Sequence, residues 1–149
     1  MKAVIQRVSH AEVKVDNAVK GSIAAGFLVL IGVEIEDDEK DAEKLAAKIA
    51  VLRVFCDNKD KMNLSLKDIN GQVLVISNFT LCGDCSHGRR PYFGAAAIPS
   101  KAEPLYEHFC TFLSKNGVGT VEKGVFGADM KVALVNDGPV TIMLSSKEI

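Results

Sequence analysis

A Cys-x-x-Cys pair, Cys82 and Cys85 with His87 close behind, is the first feature of this sequence with chemical potential. That spacing chelates zinc or cycles as a redox couple where its surroundings fit. A structural zinc site takes four ligands, and the other candidates, Cys56, His108 and Cys110, fall in or beside predicted strands and helices with no second Cys-x-x-Cys. A redox pair opens a helix, whereas Gly88-Arg89-Arg90-Pro91 prolongs a loop. The sequence is therefore expected to need neither metal nor cofactor. His10, His87 and His108 sit in unrelated segments and no Gly-x-Ser-x-Gly elbow occurs, which argues against a Ser-His-Asp hydrolase.

Four other segments carry polar, basic or special backbone chemistry: Ser77-Asn78-Phe79-Thr80, Gly88-Arg89-Arg90-Pro91, Phe126-Gly127-Ala128-Asp129-Met130 and Asn136-Asp137-Gly138-Pro139-Val140-Thr141. Singly, each has a plain structural use. Thr80 suits a strand-end hydroxyl bonded to backbone, Gly138-Pro139 a turn, and Phe126 and Met130 a core. Arg89 and Arg90 suit a solvated loop as well as a phosphate.

The elements that must hold these residues follow from hydrophobic period. Residues 3–8 and 11–15 alternate apolar and polar and predict two half-buried strands, while the continuous apolar run 26–33 predicts a central strand buried on both faces. From 38 to about 54 the spacing turns helical through Ala42, Leu45, Ala46, Ile49 and Leu52, with acidic residues in the first turn. Residues 73–76 predict another buried strand, so Ser77 to Thr80 stand at its end. Ser100 and Glu103 have capping-box spacing for a second helix with Leu105, Phe109 and Phe112 inward, stopped by Gly117 and Gly119. Residues 120–123, 130–135 and 140–144 read as three closing strands. The fold class is α/β, β-rich with two main amphipathic helices.

With 149 residues, 48% of them hydrophobic, one domain spanning 1–149 is expected. A net charge of -1 argues against a protein that coats nucleic acid by bulk electrostatics, so any RNA contact must be local. No apolar run approaches a membrane span and Met1 leads into no signal-like segment, giving the expectation of a cytoplasmic protein without membrane association. Four cysteines are too few for a disulfide framework.

Together and in order, these segments resemble the D-aminoacyl-tRNA deacylase family, whose strand-end motif reads Ser-Gln-Phe-Thr-Leu and whose later motif reads Asn-x-Gly-Pro-Val-Thr. The resemblance extends to Met1-Lys2-Ala3-Val4-Ile5-Gln6-Arg7-Val8, to Lys61-Met62-Asn63-Leu64-Ser65-Leu66 and to the Phe126 segment, nearly the entire chain. Two departures stand out. Asn78 replaces glutamine, and Tyr92 follows Gly88-Arg89-Arg90-Pro91 where serine is common.

The resemblance implies a three-layer α/β/β fold in a homodimer with active sites at the interface, and hydrolysis of D-aminoacyl-tRNA, with glycyl-tRNA also admitted. The alternative is a non-catalytic module that binds the RNA end. Ser77, Asn78, Phe79 and Thr80 would form the catalytic segment. Gly138-Pro139, a cis peptide reaching from one subunit into the other's pocket, would leave no room for the β-carbon of an L-residue. Phe126 and Met130 would hold the 3′-terminal adenosine, with Arg89 and Arg90 near phosphate and no DNA partner. Main-chain N–H groups around Phe79 and Thr80 would stabilise the oxyanion, with Thr80 positioning substrate rather than attacking it.

Overall fold

The computed structural model describes residues 1–149. Its elements are β1 (Lys2–Val15), β2 (Ala18–Ile23), β3 (Gly26–Gly32), α1 (Glu39–Ala50), β4 (Phe55–Cys56), β5 (Met62–Leu64), β6 (Gln72–Ser77), a 3-10 turn (Phe79–Cys82), α2 (Pro99–Lys115), β7 (Thr120–Lys123) and β8 (Lys131–Ser145). The two stretches expected as separate opening strands are one strand, β1. Asp16 and Asn17, both at positive φ, close a hairpin onto β2, an element the hydrophobic pattern does not reveal.

The main sheet runs β2-β1-β3-β6-β7, with β8 on the other edge of β1. As the apolar run 26–33 predicts, β3 is central, and it pairs in parallel with β6, which pairs in parallel with β7. Parallel neighbours need crossovers, supplied between β3 and β6 by the segment holding α1 and between β6 and β7 by the segment holding α2. The strands' twofold period then sorts the core. Phe27, Val29, Val73 and Val75 face the helices with Leu45, Ile49, Tyr106 and Phe109. Leu28, Leu74 and Ile76 face a second, smaller cluster with Val8, Ala11, Val13 and Ile23. Gly21 of β2 lies against Leu74 of β6 and the Lys123 carbonyl of β7, so the sheet curls back over its own far face. Helices, sheet and overlying strands make three layers.

β1 serves both clusters because its alternation slips. Ala3 and Ile5 point to the helices, Val8, Ala11 and Val13 to the opposite side, and the pairing with β8 is irregular between Gln6 and His10. Across that irregularity Gln6 pairs with Thr141 and Val8 with Asn136, so four residues of β8, 137–140, oppose Arg7 alone. The two predicted strands 130–135 and 140–144 are thus one β8 interrupted by an excursion that contains the cis Gly138-Pro139 bond.

Other boundaries moved for local reasons. Asp38 and Asp41 cap α1 reciprocally, and the helix ends at Ala50, four residues short of the expected end. α2 starts at Pro99, whose missing N–H is harmless there, and the expected Ser100–Glu103 box does not form; Ile98 caps without a side-chain bond. The polar loop after residue 54 is flanked by the short β4-β5 pair. At the start of β1, the Met1 ammonium is buried against Asp37 (2.5 Å) and Ser146 Oγ (2.6 Å), tying β1, the approach to α1 and the end of β8 together.

Candidate active site

Three parallel strands end on the same side of the sheet, and a cavity of about 660 Å³ opens there. Ligand pockets in sheets of this kind form at the carboxyl ends of strands, and this volume is in the range that holds a small molecule. Leu30, Ile31 and Val33 come from β3 and its exit, Ile76, Ser77 and Asn78 from β6 and its exit, and Phe126 to Met130 from the loop after β7. Ala96, Ala97, Pro99, Ala102 and Tyr106 form the wall toward α2. That wall is stitched on by backbone: Ala97 N donates to Val33 O (2.9 Å) and Ile35 N to Ala95 O (3.0 Å). Thirteen of the 18 lining residues are hydrophobic, so a ligand's flat apolar surface gains more here than its charge does.

The polar end is the exit of β6. Asn78 N donates to Ile31 O (2.8 Å), extending the β3 ladder one residue past β6. The chain then turns. Phe79 and Thr80, expected at a strand's end, lie in the 3-10 turn, and Asn78 caps it: its Oδ1 accepts from Thr80 N (3.3 Å) and from Thr80 Oγ1 (2.5 Å). Both features bear on chemistry. The Thr80 hydroxyl proton faces an amide oxygen, which cannot act as a base at neutral pH, so nothing here activates it as a nucleophile. The Thr80 N–H is already occupied, which corrects the expectation that both amides are open to an oxyanion; of the two, Phe79 N–H alone remains unengaged.

Opposite this edge lie Phe126 and Met130, half-buried rather than core. Phe126 tilts against the ring of Tyr106 at 5.9 Å, and the Tyr106 hydroxyl donates to Val75 O (2.9 Å). Burial pushes the Tyr106 phenol above its ordinary range, so it remains a neutral donor. Gly124 N donates to the same carbonyl (2.9 Å), and a β-carbon on Gly124 would meet Met130 Sδ at 2.6 Å. The absence of a β-carbon on Gly124 leaves room for the Met130 thioether to lie against it.

The structure thus brings Ser77, Asn78, Phe79, Phe126 and Met130 together around one cavity. Thr80, Arg89, Arg90, Gly138 and Pro139 are not among its lining residues; Thr80 sits just behind the rim, the arginines on an exposed loop, and Gly138-Pro139 exposed on β8. The Gly138-Pro139 bond is cis, as the motif implies. Arg7 is a buried cation that the motifs do not single out. It is 9% exposed, with Nε donating to Asp137 O (2.9 Å) and Nη1 to Val54 O (2.6 Å), and it anchors the excursion that carries Gly138-Pro139. The available signal is a cation at an inward position of an alternating strand, after Ala3 and Ile5. Tyr106 escapes sequence reasoning too, since its helix shows only an apolar stripe.

Cys82 and Cys85 part company. Cys82 is buried with its thiol toward Val33 O (3.5 Å), and Cys85 is exposed. No three His, Cys, Asp or Glu side chains converge in a way that would hold a metal ion.

Known proteins resemble this chain in sequence and in fold. The family model described as D-Tyr-tRNA(Tyr) deacylase matches residues 4–145. A D-aminoacyl-tRNA deacylase of Thermus aquaticus is 57% identical over 148 residues, 99% of this chain and 97% of that one. That of Thermosipho melanesiensis is 54% identical over 149 residues, covering 100% and 99%. Among solved structures, one described as c-Myc DNA Unwinding Element Binding Protein superposes with a TM-score of 0.92 at 39% identity, covering 97% and 98% of the chains. A probable eukaryotic D-amino acid tRNA deacylase shares the fold with a TM-score of 0.79 at 17% identity, covering 96% and 97%.

Proposed function

This chain belongs to the D-Tyr-tRNA(Tyr) deacylase family, and from that premise we propose that it hydrolyses D-aminoacyl-tRNA to free D-amino acid and tRNA while sparing L-aminoacyl-tRNA. The observation that carries the reading is the apolar cavity between Ser77-Asn78-Phe79 and Phe126-Met130, with one unengaged amide at its polar edge.

The 3′-terminal adenosine lies between Phe126 and Met130, where contact of an aromatic base with apolar side chains contributes roughly 1–3 kcal/mol. The ester carbonyl then points to Phe79 N–H. Water adds to the carbonyl carbon, Phe79 N–H stabilises the oxyanion, and the C–O bond to the ribose breaks, returning the electron pair to the leaving oxygen. An aminoacyl ester is already activated, so positioning and one well-placed donor go far without a side-chain base. The ribose 2′-hydroxyl next to the leaving oxygen is the group in reach to assist proton transfer to and from water. Thr80 positions the turn; it does not attack.

Selection against L-substrates falls to Gly138-Pro139 of a second copy of the chain, whose main-chain carbonyls leave space for hydrogen but not for a β-carbon at one side of the substrate's α-carbon. Glycine, lacking that carbon, is admitted. The protein acts as a homodimer in the cytoplasm, with no DNA partner. Hydrolysis of D-tyrosyl-, L-tyrosyl- and glycyl-tRNA by the purified protein tests the reading. Turnover of the D and glycyl esters with little L turnover supports it. Equal rates on both enantiomers reject the wedge, and no turnover of any leaves the RNA-end-binding module.

A further inference from the structure

The basic loop between the 3-10 turn and α2 is an ordered arm, and its features point outward. Asp84 and Tyr92 form an isolated antiparallel bridge, with Asp84 N donating to Tyr92 O (2.8 Å) and Tyr92 N to Asp84 O (2.9 Å). The bridge closes a hairpin whose tip holds His87, Gly88, Arg89 and Arg90, with Gly88 at φ +68° making the turn. Arg89 and Arg90 are exposed and take part in no hydrogen bond or ion pair, unlike Arg7 and Arg53, which both bind carbonyls. Asp84 is the one carboxylate of the arm, and bonds from Ser86 hold its pKa below the ordinary range. With Arg89 and Arg90 the arm still carries net positive charge on a protein of net charge -1.

Tyr92 adds a second kind of recognition. Its side chain is 72% exposed, yet it is not loose: its ring lies across Gly94, where a β-carbon would be 2.2 Å from both Cζ and Oη. A large aromatic ring left open to water while backed by main chain is a stacking platform, and a guanidinium pair beside it suits phosphate. The arm's base is locked to the site, since Phe93 meets the ring of Phe79 edge-on at 5.1 Å and Phe79 lines the cavity. From Phe93 to Arg90 is three residues, about 10 Å if extended. The arginines therefore stand outside the cavity but within about 10 Å of chain from the Phe93 ring that packs on its rim, close enough for RNA that leads into it.

Building on the proposed reading of the cavity, we infer that the arm formed by Arg89, Arg90 and Tyr92 binds the single-stranded RNA immediately behind the terminal nucleoside, Tyr92 stacking on one base and the arginines taking its phosphates. This binding raises affinity for tRNA without touching the reacting ester.

The test compares two D-substrates: the full aminoacyl-tRNA and the same amino acid esterified to adenosine alone. Tyr92→Ala is expected to raise KM for the tRNA substrate roughly 5- to 150-fold, the range for removal of one stacked base, with kcat and adenosine-ester hydrolysis unchanged. Tyr92→Phe restores the tRNA KM. Arg89→Ala with Arg90→Ala should flatten the plot of log affinity against log salt by about 0.7 for each phosphate no longer neutralised. Gly94→Ala, which pushes the ring off its seat, should imitate Tyr92→Ala. Equal impairment on both substrates, or no change on tRNA, overturns the inference. Failure of the unaltered protein to hydrolyse the D-aminoacyl-tRNA itself counts against the proposed function instead, and that readout does not depend on the arm variants.

Discussion

Arg7 Nε donates a hydrogen bond to the main-chain carbonyl of Asp137 at 2.9 Å, joining residues 130 apart in sequence. Its other arm takes the Val54 carbonyl, so one buried guanidinium fixes the β8 excursion to both β1 and the segment just after α1. Arg7→Met keeps the stem and removes the fork, leaving those carbonyls without that donor at about 1–3 kcal/mol for each that stays buried. A melting temperature lower by roughly 5–10 °C is expected for a chain of this size, together with faster hydrolysis of L-tyrosyl-tRNA as Gly138-Pro139 loosens. Unchanged enantiomer discrimination would separate Arg7 from selection.

Asn78 caps the turn through one oxygen. Asn78→Ala removes a cap of about 1 kcal/mol and frees Thr80 to rotate, so kcat/KM for D-aminoacyl-tRNA should fall about tenfold with a melting shift of only a few degrees. Asn78→Asp keeps both accepting bonds, hence the stability, but places negative charge beside the developing oxyanion. Its kcat should drop while its melting temperature holds; parallel retention of both contradicts the assignment of Phe79 N–H.

Thr80→Ala should keep activity within about tenfold, because the hydroxyl has only Asn78 to act on and no base to activate it. Single-turnover assay with acid quench decides the matter. A drop of several orders of magnitude, with a trapped acyl-enzyme in the unaltered protein, would restore Thr80 as nucleophile.

Asp37 meets the Met1 ammonium where neither has access to water. Asp37→Asn leaves that cation buried with a neutral partner, which destabilises by about 3–5 kcal/mol, or roughly 10 °C in melting temperature. A shift under about 2 °C would mean that water reaches the pair.

The thiols divide by burial. Cys56 and Cys85 are exposed; Cys82 and Cys110 are buried, which pushes both thiols up, Cys110 to about 12. At pH 8 both buried groups remain protonated and shielded, so a thiol reagent should modify two cysteines promptly and all four only in denaturant. Prompt labelling of Cys82 would show that the 3-10 turn opens readily.

Much of this molecule is legible from local pattern. The run 26–33 names a central strand because a strand buried on both faces has no polar alternation, and Ala42, Leu45, Ala46 and Ile49 name a helix by their spacing alone. The motif residues Ser77, Asn78, Phe79, Phe126 and Met130 are likewise nominated by sequence, and the fold places all five on one cavity. The tertiary structure decided what periodicity cannot encode. Slippage of β1 joins two predicted strands into one and sets Arg7 opposite four residues of β8, an outcome of pairing between segments 130 positions apart. Pro99 overrode the capping signal at Ser100, because a missing N–H at the first helical position forfeits no bond. The Thr80 N–H is occupied by a side chain two residues away, a matter of rotamer and turn geometry that residue identity alone leaves open. Identity and spacing fix which groups exist; only three-dimensional pairing fixes which of them are already satisfied.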